Sequence, residues 1–155
     1  MGGDRFAPNL LALPHAFSYG RVSASAAEQI ADAQERGNVA LPWLRGRATF
    51  APSAQAAQQL AHVRRDEVAF NALNPRSVEA LGSARWRVRL AASPADVFVT
   101  VATAASGPAA LLTCSATHPA HPPAYRLEEM VEAPNQVFVR AVPTGQDTPV
   151  PPIPQ

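Results

Sequence analysis

The sequence predicts an α+β domain in which a helical N-terminal half precedes an antiparallel β-sheet of about five strands, with extended arms at both termini. Apolar residues alternate with arginines over residues 85–91, the period-two pattern of a strand with one wet face. The apolar set is Trp86, Val88 and Leu90, and the basic set is Arg85, Arg87 and Arg89. Apolar residues recur at helical spacing in the first half, and prolines interrupt both ends of the chain.

Residues 1–22 are predicted to form an extended arm. Pro8, Pro14 and Gly20 interrupt any helix there, yet the segment is too apolar for a solvated tail. We therefore expect the arm to lie against an apolar surface of its own domain or of a neighbouring molecule. Its six large side chains are candidate interaction residues: Phe6, Leu10, Leu11, Leu13, Phe17 and Tyr19.

Three helices are predicted in the first half. Ser25 and Glu28 have the spacing of a capping box, which predicts a helix over 26–36 that ends at Gly37. An apolar stripe predicts the longest helix over 54–72. Asn74 followed by Pro75 has the pattern of an N-cap and a first helical residue, which predicts a helix over 75–81.

Five strands are predicted in the second half, over 85–91, 97–104, 109–115, 125–131 and 136–142. Turn-forming residues separate them. These helices and strands form a single domain over 23–142. Residues 143–155 are rich in proline and are predicted to be a polyproline-II or irregular tail, with Val150 and Ile153 as its candidate interaction residues.

The composition argues against several classes of protein. All 13 basic residues are Arg, and the formal net charge is +1, so no overall field attracts nucleic acid. No apolar run approaches the roughly 20 residues that span a bilayer, and Pro14 cuts short the apolar N-terminal run that a signal peptide needs. Cys114 is the only cysteine, which excludes an intramolecular disulfide. We expect a soluble protein, in the cytoplasm or an assembled particle, with no membrane span and no cofactor.

No pattern of catalytic residues stands out. The chain has no nucleophile elbow, no phosphate-binding glycine loop and no dinucleotide fingerprint. The adjacent acids Glu128 and Glu129 diverge on a strand or helix, so they do not converge on a substrate. The sequence therefore predicts a protein that is not an enzyme.

Cys114, His118 and His121 form a C-x3-H-x2-H run that is a candidate zinc or copper site. No fourth ligand is spaced to complete it. Cys114 packed as a small apolar residue, with both histidines in a proline-rich loop, is the interpretation that we favour. No metal is therefore predicted.

Arg85, Arg87 and Arg89 are candidate contacts for phosphate or for an acidic protein surface, with Arg140 as a further member. A solvated strand face, or cross-strand pairing with Glu128, Glu129 or Glu132, is the alternative.

The sequence as a whole favours a non-enzymatic structural subunit of a larger protein assembly, such as a phage or virus particle or a multi-subunit complex. Its termini would serve as attachment arms to other protein subunits, including copies of itself. The alternative is a small-ligand- or metal-binding β module built around Cys114, His118 and His121.

Overall fold

The structure is a computed structural model, and it describes residues 8–105, 117–119 and 123–134. Two helices and two antiparallel sheets make up this part of the chain, and more of its residues lie in strands than in helices. The predicted order, a helical half followed by one sheet, is therefore wrong. Strands precede, separate and follow the helices.

The first sheet has the order β1-β2-β3, formed by Asn9–Ala12, Phe17–Gly20 and Leu44–Arg47. Leu10 pairs with Tyr19, and Phe17 pairs with Arg47. Helix α1, Ala24–Glu35, belongs to the same apolar core. A short 3-10 turn over Leu41–Trp43 leads into β3. The buried core residues are Phe17, Tyr19, Val22, Ala26, Ile30, Ala33, Val39, Ala40, Leu44 and Phe70.

Residues 9–20 therefore form a β-hairpin of the domain, and the prediction of an extended arm over 1–22 is wrong for them. Phe17 and Tyr19 are fully buried in the domain's own core. The strands have only four residues each, and the partners of these two side chains lie far away along the chain. Local periodicity does not reveal a pairing of that kind.

Helix α1 begins two residues earlier than the predicted capping box implies. Ser23 has an extended backbone and its hydroxyl accepts a hydrogen bond from the backbone N–H of Ala26, at 3.2 Å. Ser25, the predicted cap, lies within the first turn. At the other end the chain leaves the helix through Gly37, whose φ of +74° glycine adopts without strain.

The second sheet is a four-stranded meander in the order β4-β5-β6-β7. Its strands are Asn74–Gly82, Arg85–Ala91, Ala95–Ala105 and Pro123–Pro134. Trp86, Val88 and Leu90 pair with Val101, Val99 and Val97 on one face, as the alternation in the sequence indicates. That face packs against helix α2, Pro52–Arg65, mainly through Ala54, Ala57, Ala61, Leu73, Val88, Leu90, Val97, Val99 and Val101.

Helix α2 is shorter than the predicted helix over 54–72. It ends because Asp66 takes a left-handed conformation with φ of +51°, and its N–H bonds back to the carbonyls of His62 and Val63. The next residues leave the helix to bond elsewhere, since the N–H of Val39 donates to the carbonyl of Val68 at 2.7 Å. Helix α2 contacts β3 as well as all four strands of the second sheet, and so joins the two sheets.

The predicted helix over 75–81 is strand β4. It pairs antiparallel with β5 from Asn74 opposite Ala91 to Gly82 opposite Arg85. The Asn74 side-chain amide donates to the carbonyl of Asn71 at 2.8 Å and does not cap a helix. Pairing with β5 therefore prevails over the local Asn-Pro signal. The predicted strands over 109–115 and 136–142 and the tail over 143–155 lie outside the described residues.

Truncating Trp86 and truncating Arg87 should affect stability very differently. The Trp86 ring is partly buried against the core and lies edge-to-face with the Tyr125 ring, with 5.8 Å between ring centroids. Arg87 is exposed on the opposite face. We expect Trp86→Ala to lower the free energy of unfolding by about 2–4 kcal/mol, and Arg87→Ala by less than about 0.5 kcal/mol. Denaturant titration of both variants measures this. Equal losses would contradict the observed strand register.

Candidate functional site

The outer side of the β1–β2 hairpin carries two large apolar side chains that are exposed in the described part of the chain. Leu10 and Ala12 point inwards and pack against the N-terminal core. Because side chains alternate along a strand, Leu11 points the other way, and it is 50% exposed. Leu13, just after β1, is 74% exposed. We call Leu11 and Leu13 the hairpin patch.

The hairpin that carries this patch is fixed by contacts of Phe17 and Tyr19 with the core. The Phe17 ring lies 5.1 Å from that of Phe70, and the guanidinium of Arg47 sits 4.6 Å from the Phe17 ring centroid. The amide of Gln34 donates to the Tyr19 hydroxyl at 2.6 Å. Burial raises the pKa of Tyr19, so its hydroxyl keeps its proton. Phe17 and Tyr19 thus hold the hairpin in place and are not available to a partner, which corrects their predicted interaction role.

The turn between β1 and β2 is also fixed by contacts with the rest of the domain. The His15 ring packs on that of Phe70, with 4.7 Å between centroids. The N–H of Ala48 donates to the carbonyl of Ala16 at 2.8 Å. The exposed leucines are therefore presented by a fixed backbone and not by a loose arm. Phe6, Val150 and Ile153, the remaining apolar interaction candidates, lie outside the described residues.

Arg85, Arg87 and Arg89, which we call the arginine stripe, lie on the outer face of the second sheet. Two of the three have acidic partners. Arg85 donates from Nε to Glu128 at 2.8 Å, and Arg89 forms an ion pair with Asp96. Glu128 also receives a bond from Arg126 at 3.1 Å. The bond from Arg85 is the main reason why the pKa of Glu128 is lowered. These pairings agree with the cross-strand alternative for Arg85.

Arg87 is the stripe member that makes no ion pair within the described ranges. Across the strands it lies beside Glu79 of β4 and Thr100 of β6, and Thr100 in turn lies beside Glu129 of β7. One cation in a row with two acids gives little net positive charge. The stripe thus offers little to a phosphate. Glu132, another predicted partner, pairs instead with Arg65 of α2. Arg140 lies outside the described residues.

The candidate metal ligands are only partly described. His118 is exposed, and its Nδ1 lies 2.9 Å from the hydroxyl of Thr117. Cys114 and His121 lie outside the described residues. Among the described residues, no three histidine, cysteine or acidic side chains come together as a metal site.

A small open cleft of about 290 Å³ lies between α1 and the 3-10 turn. Trp43 and Pro42 form one wall, and Asp32 and Arg36 lie on the helix opposite. Both charged side chains are exposed. Neither is desolvated in the way that a catalytic acid or base usually is.

Helix α2 fully buries two polar side chains whose burial is not predicted from the sequence. Gln58 and His62 are four residues apart, so they lie on the same side of the helix, and both are fully buried. The sequence does carry a signal for this burial, because both residues lie next to the buried alanines Ala57 and Ala61.

No helix among the described residues is long and apolar enough to cross a membrane. Comparison with protein-family models, curated proteins and solved structures finds no match to this chain.

Proposed function

We propose that this chain is a non-enzymatic structural subunit of a larger protein assembly, such as a phage or virus particle or a multi-subunit complex. It associates with other subunits, among them copies of itself, through the hairpin patch. The observation that carries the proposal is the exposure of Leu11 and Leu13, at 50% and 74%, on a hairpin whose other strand is buried.

The energetics favour this surface. Burying a fully exposed leucine contributes roughly 1.5–3 kcal/mol, so Leu11 and Leu13, at 50% and 74% exposure, together offer about 2–4 kcal/mol per copy to an association. Little of that is lost to ordering, because the hairpin is already fixed by Phe17, Tyr19 and His15. The arginine stripe is less suitable, since Arg85 and Arg89 would first have to leave their acidic partners.

A second copy of the chain suits this surface as a partner. Among the described residues β1 pairs with β2 alone and is an edge strand of its sheet. The outer edge of such a strand can pair with its equivalent about a two-fold axis, which also brings both hairpin patches together. The net charge of +1 puts little long-range repulsion between copies.

Sedimentation of the purified full chain tests the proposal. We expect self-association at about 100 μM, and the double variant Leu11→Ser, Leu13→Ser should weaken it roughly a hundredfold through the lost apolar burial. Stability should change little, because both side chains are largely outside the core.

Val63→Ser is the matched control, since Val63 is also 50% exposed but lies on α2. A chain that stays monomeric up to that concentration would contradict the proposal. So would a control variant that weakens association as much as the double variant does.

A further inference from the structure

The joint between the two sheets contains a buried, titratable group. Gln58 of α2 accepts a hydrogen bond from the backbone N–H of Arg47 in β3 at 3.0 Å, and donates to the carbonyl of Leu73 at 2.9 Å. One helical turn further on, His62 is also fully buried. These two side chains of α2 thus lie where the first sheet meets the second.

The hydrogen bond of His62 fixes the tautomer of its neutral ring. Its Nδ1 lies 2.6 Å from the carbonyl oxygen of Glu67, which can only accept, so Nδ1 carries the proton. In the neutral ring Nε2 is then an unprotonated nitrogen. It is buried, with no hydrogen-bond partner within the described part of the chain. A proton on Nε2 would create a buried cation whose new N–H has no acceptor.

Two charged groups act on the ring. Arg47, from β3, opposes protonation, and Glu67, from the segment after α2, favours it. The Glu67 carboxylate is already engaged, because it accepts a bond from the N–H of Ala69 at 2.9 Å. Burial is the largest influence and lowers the pKa of His62, although the bond to the Glu67 carbonyl acts in the opposite direction. Arg65, on the same helix, is paired with Glu132 of β7.

The carbonyl that His62 holds belongs to a segment, residues 66–70, that ties the first sheet's core to α2. Val39 donates to Val68 at 2.7 Å, and Phe70 donates to Gly37 at 3.0 Å. The Phe70 ring then packs on Phe17. The cationic ring keeps its Nδ1–H, so protonation breaks the bond to Glu67 only by drawing the ring out of its buried position towards solvent. Loss of that bond would loosen the contacts between α1, the hairpin and α2.

We propose that His62 is an acid-sensitive latch: a proton on its Nε2 makes the buried ring a cation that moves towards solvent, which releases residues 66–70 and loosens the first sheet from α2. This inference does not depend on the proposed association. Because the folded-state pKa lies below the ordinary value of about 6.5, neutral His62 contributes its full stabilisation above that pH. The stabilisation is lost progressively as the pH falls below about 6.5, down to the folded-state pKa.

Amide hydrogen exchange of the full chain between pH 7.5 and 5 tests the latch. After correction for the intrinsic exchange rate, we expect protection of the Val39 and Phe70 amides to fall by up to about tenfold per pH unit below 6.5. Amides of the β5–β6 pairing should lose much less. In His62→Asn, whose amide can still donate to Glu67 but does not titrate, protection at Val39 and Phe70 should no longer depend on pH.

His15→Gln is the control, because His15 touches Phe70 but is exposed. Its pH dependence should match that of the unchanged chain. Flat protection in the unchanged chain would overturn the proposal, and so would pH dependence that persists in His62→Asn. If His62→Asn does not fold, nitrogen NMR of the unchanged chain decides. A proton on Nε2 in the neutral ring, or titration at the ordinary pKa, overturns the latch, whereas a proton on Nδ1 with a lowered pKa supports it.

Discussion

Gly46→Ala is expected to lower the free energy of unfolding by about 2–5 kcal/mol. Gly46 lies in β3 with φ of +91°, a conformation that costs an L-residue about 1–2 kcal/mol. A Cβ on Gly46 would also lie only 2.5 Å from the backbone oxygen of Gln55 in α2. Because that oxygen belongs to the backbone, β3 and α2 would have to move apart, which adds about 1–3 kcal/mol. Denaturant titration measures the loss.

Gly37→Ala provides the matched control. Gly37 also has a positive φ, +74°, but an added Cβ meets nothing within 4 Å. We therefore expect it to lose only the conformational part, about 1–2 kcal/mol. Equal losses in the two variants would show that β3 and α2 do not approach each other as closely as the structure has them.

Phe17→Ala should lower the free energy of unfolding by about 3–5 kcal/mol, because it opens a cavity beside Phe70 in a core where Phe17 is fully buried. Leu13→Ala, four residues earlier, should change it by less than about 0.5 kcal/mol, since Leu13 is 74% exposed. Thermal or denaturant unfolding of the two variants compares them. A small loss for Phe17→Ala would mean that the segment is an extended arm after all.

Strand β5 and the end of α1 were predictable because their signals are local. Alternation at Trp86, Val88 and Leu90 needs no knowledge of the partner strand. Gly37 stops α1 through its own backbone freedom. Other signals were ambiguous. Asn74-Pro75 suits the start of a helix as well as the first residues of a strand, and only pairing with β5 decides between them.

The hairpin was not predictable because its stability comes from distant residues. Phe17 depends on Phe70 and Arg47, and Tyr19 depends on Gln34. Without those contacts, a four-residue strand next to Pro14 resembles an irregular arm. From the local pattern alone, the six large side chains of this segment form one set of candidate interaction residues. The structure separates them into buried anchors and an exposed hairpin patch.

The burial of Gln58 and His62 between the two sheets was not predictable for a different reason. The buried side of α2 holds Ala54, Ala57 and Ala61, and Gln58 and His62 lie on that same side. Polar residues beside an apolar helix stripe indicate either a partner on another element or a site. Their partners, Arg47, Leu73 and Glu67, come from three different segments, so the sequence does not reveal them.

Site-specific photo-crosslinking of the purified chain tests the association through the hairpin patch most directly. The substitution Leu13→p-benzoylphenylalanine places a photoreactive group at the most exposed of the large apolar residues that the structure describes, and Val63→p-benzoylphenylalanine places it at another exposed apolar position, on α2. We predict a covalent species of twice the 16.4 kDa chain mass from position 13, with little from position 63. Crosslinking with equal yield from both positions, or none from position 13, would contradict the account.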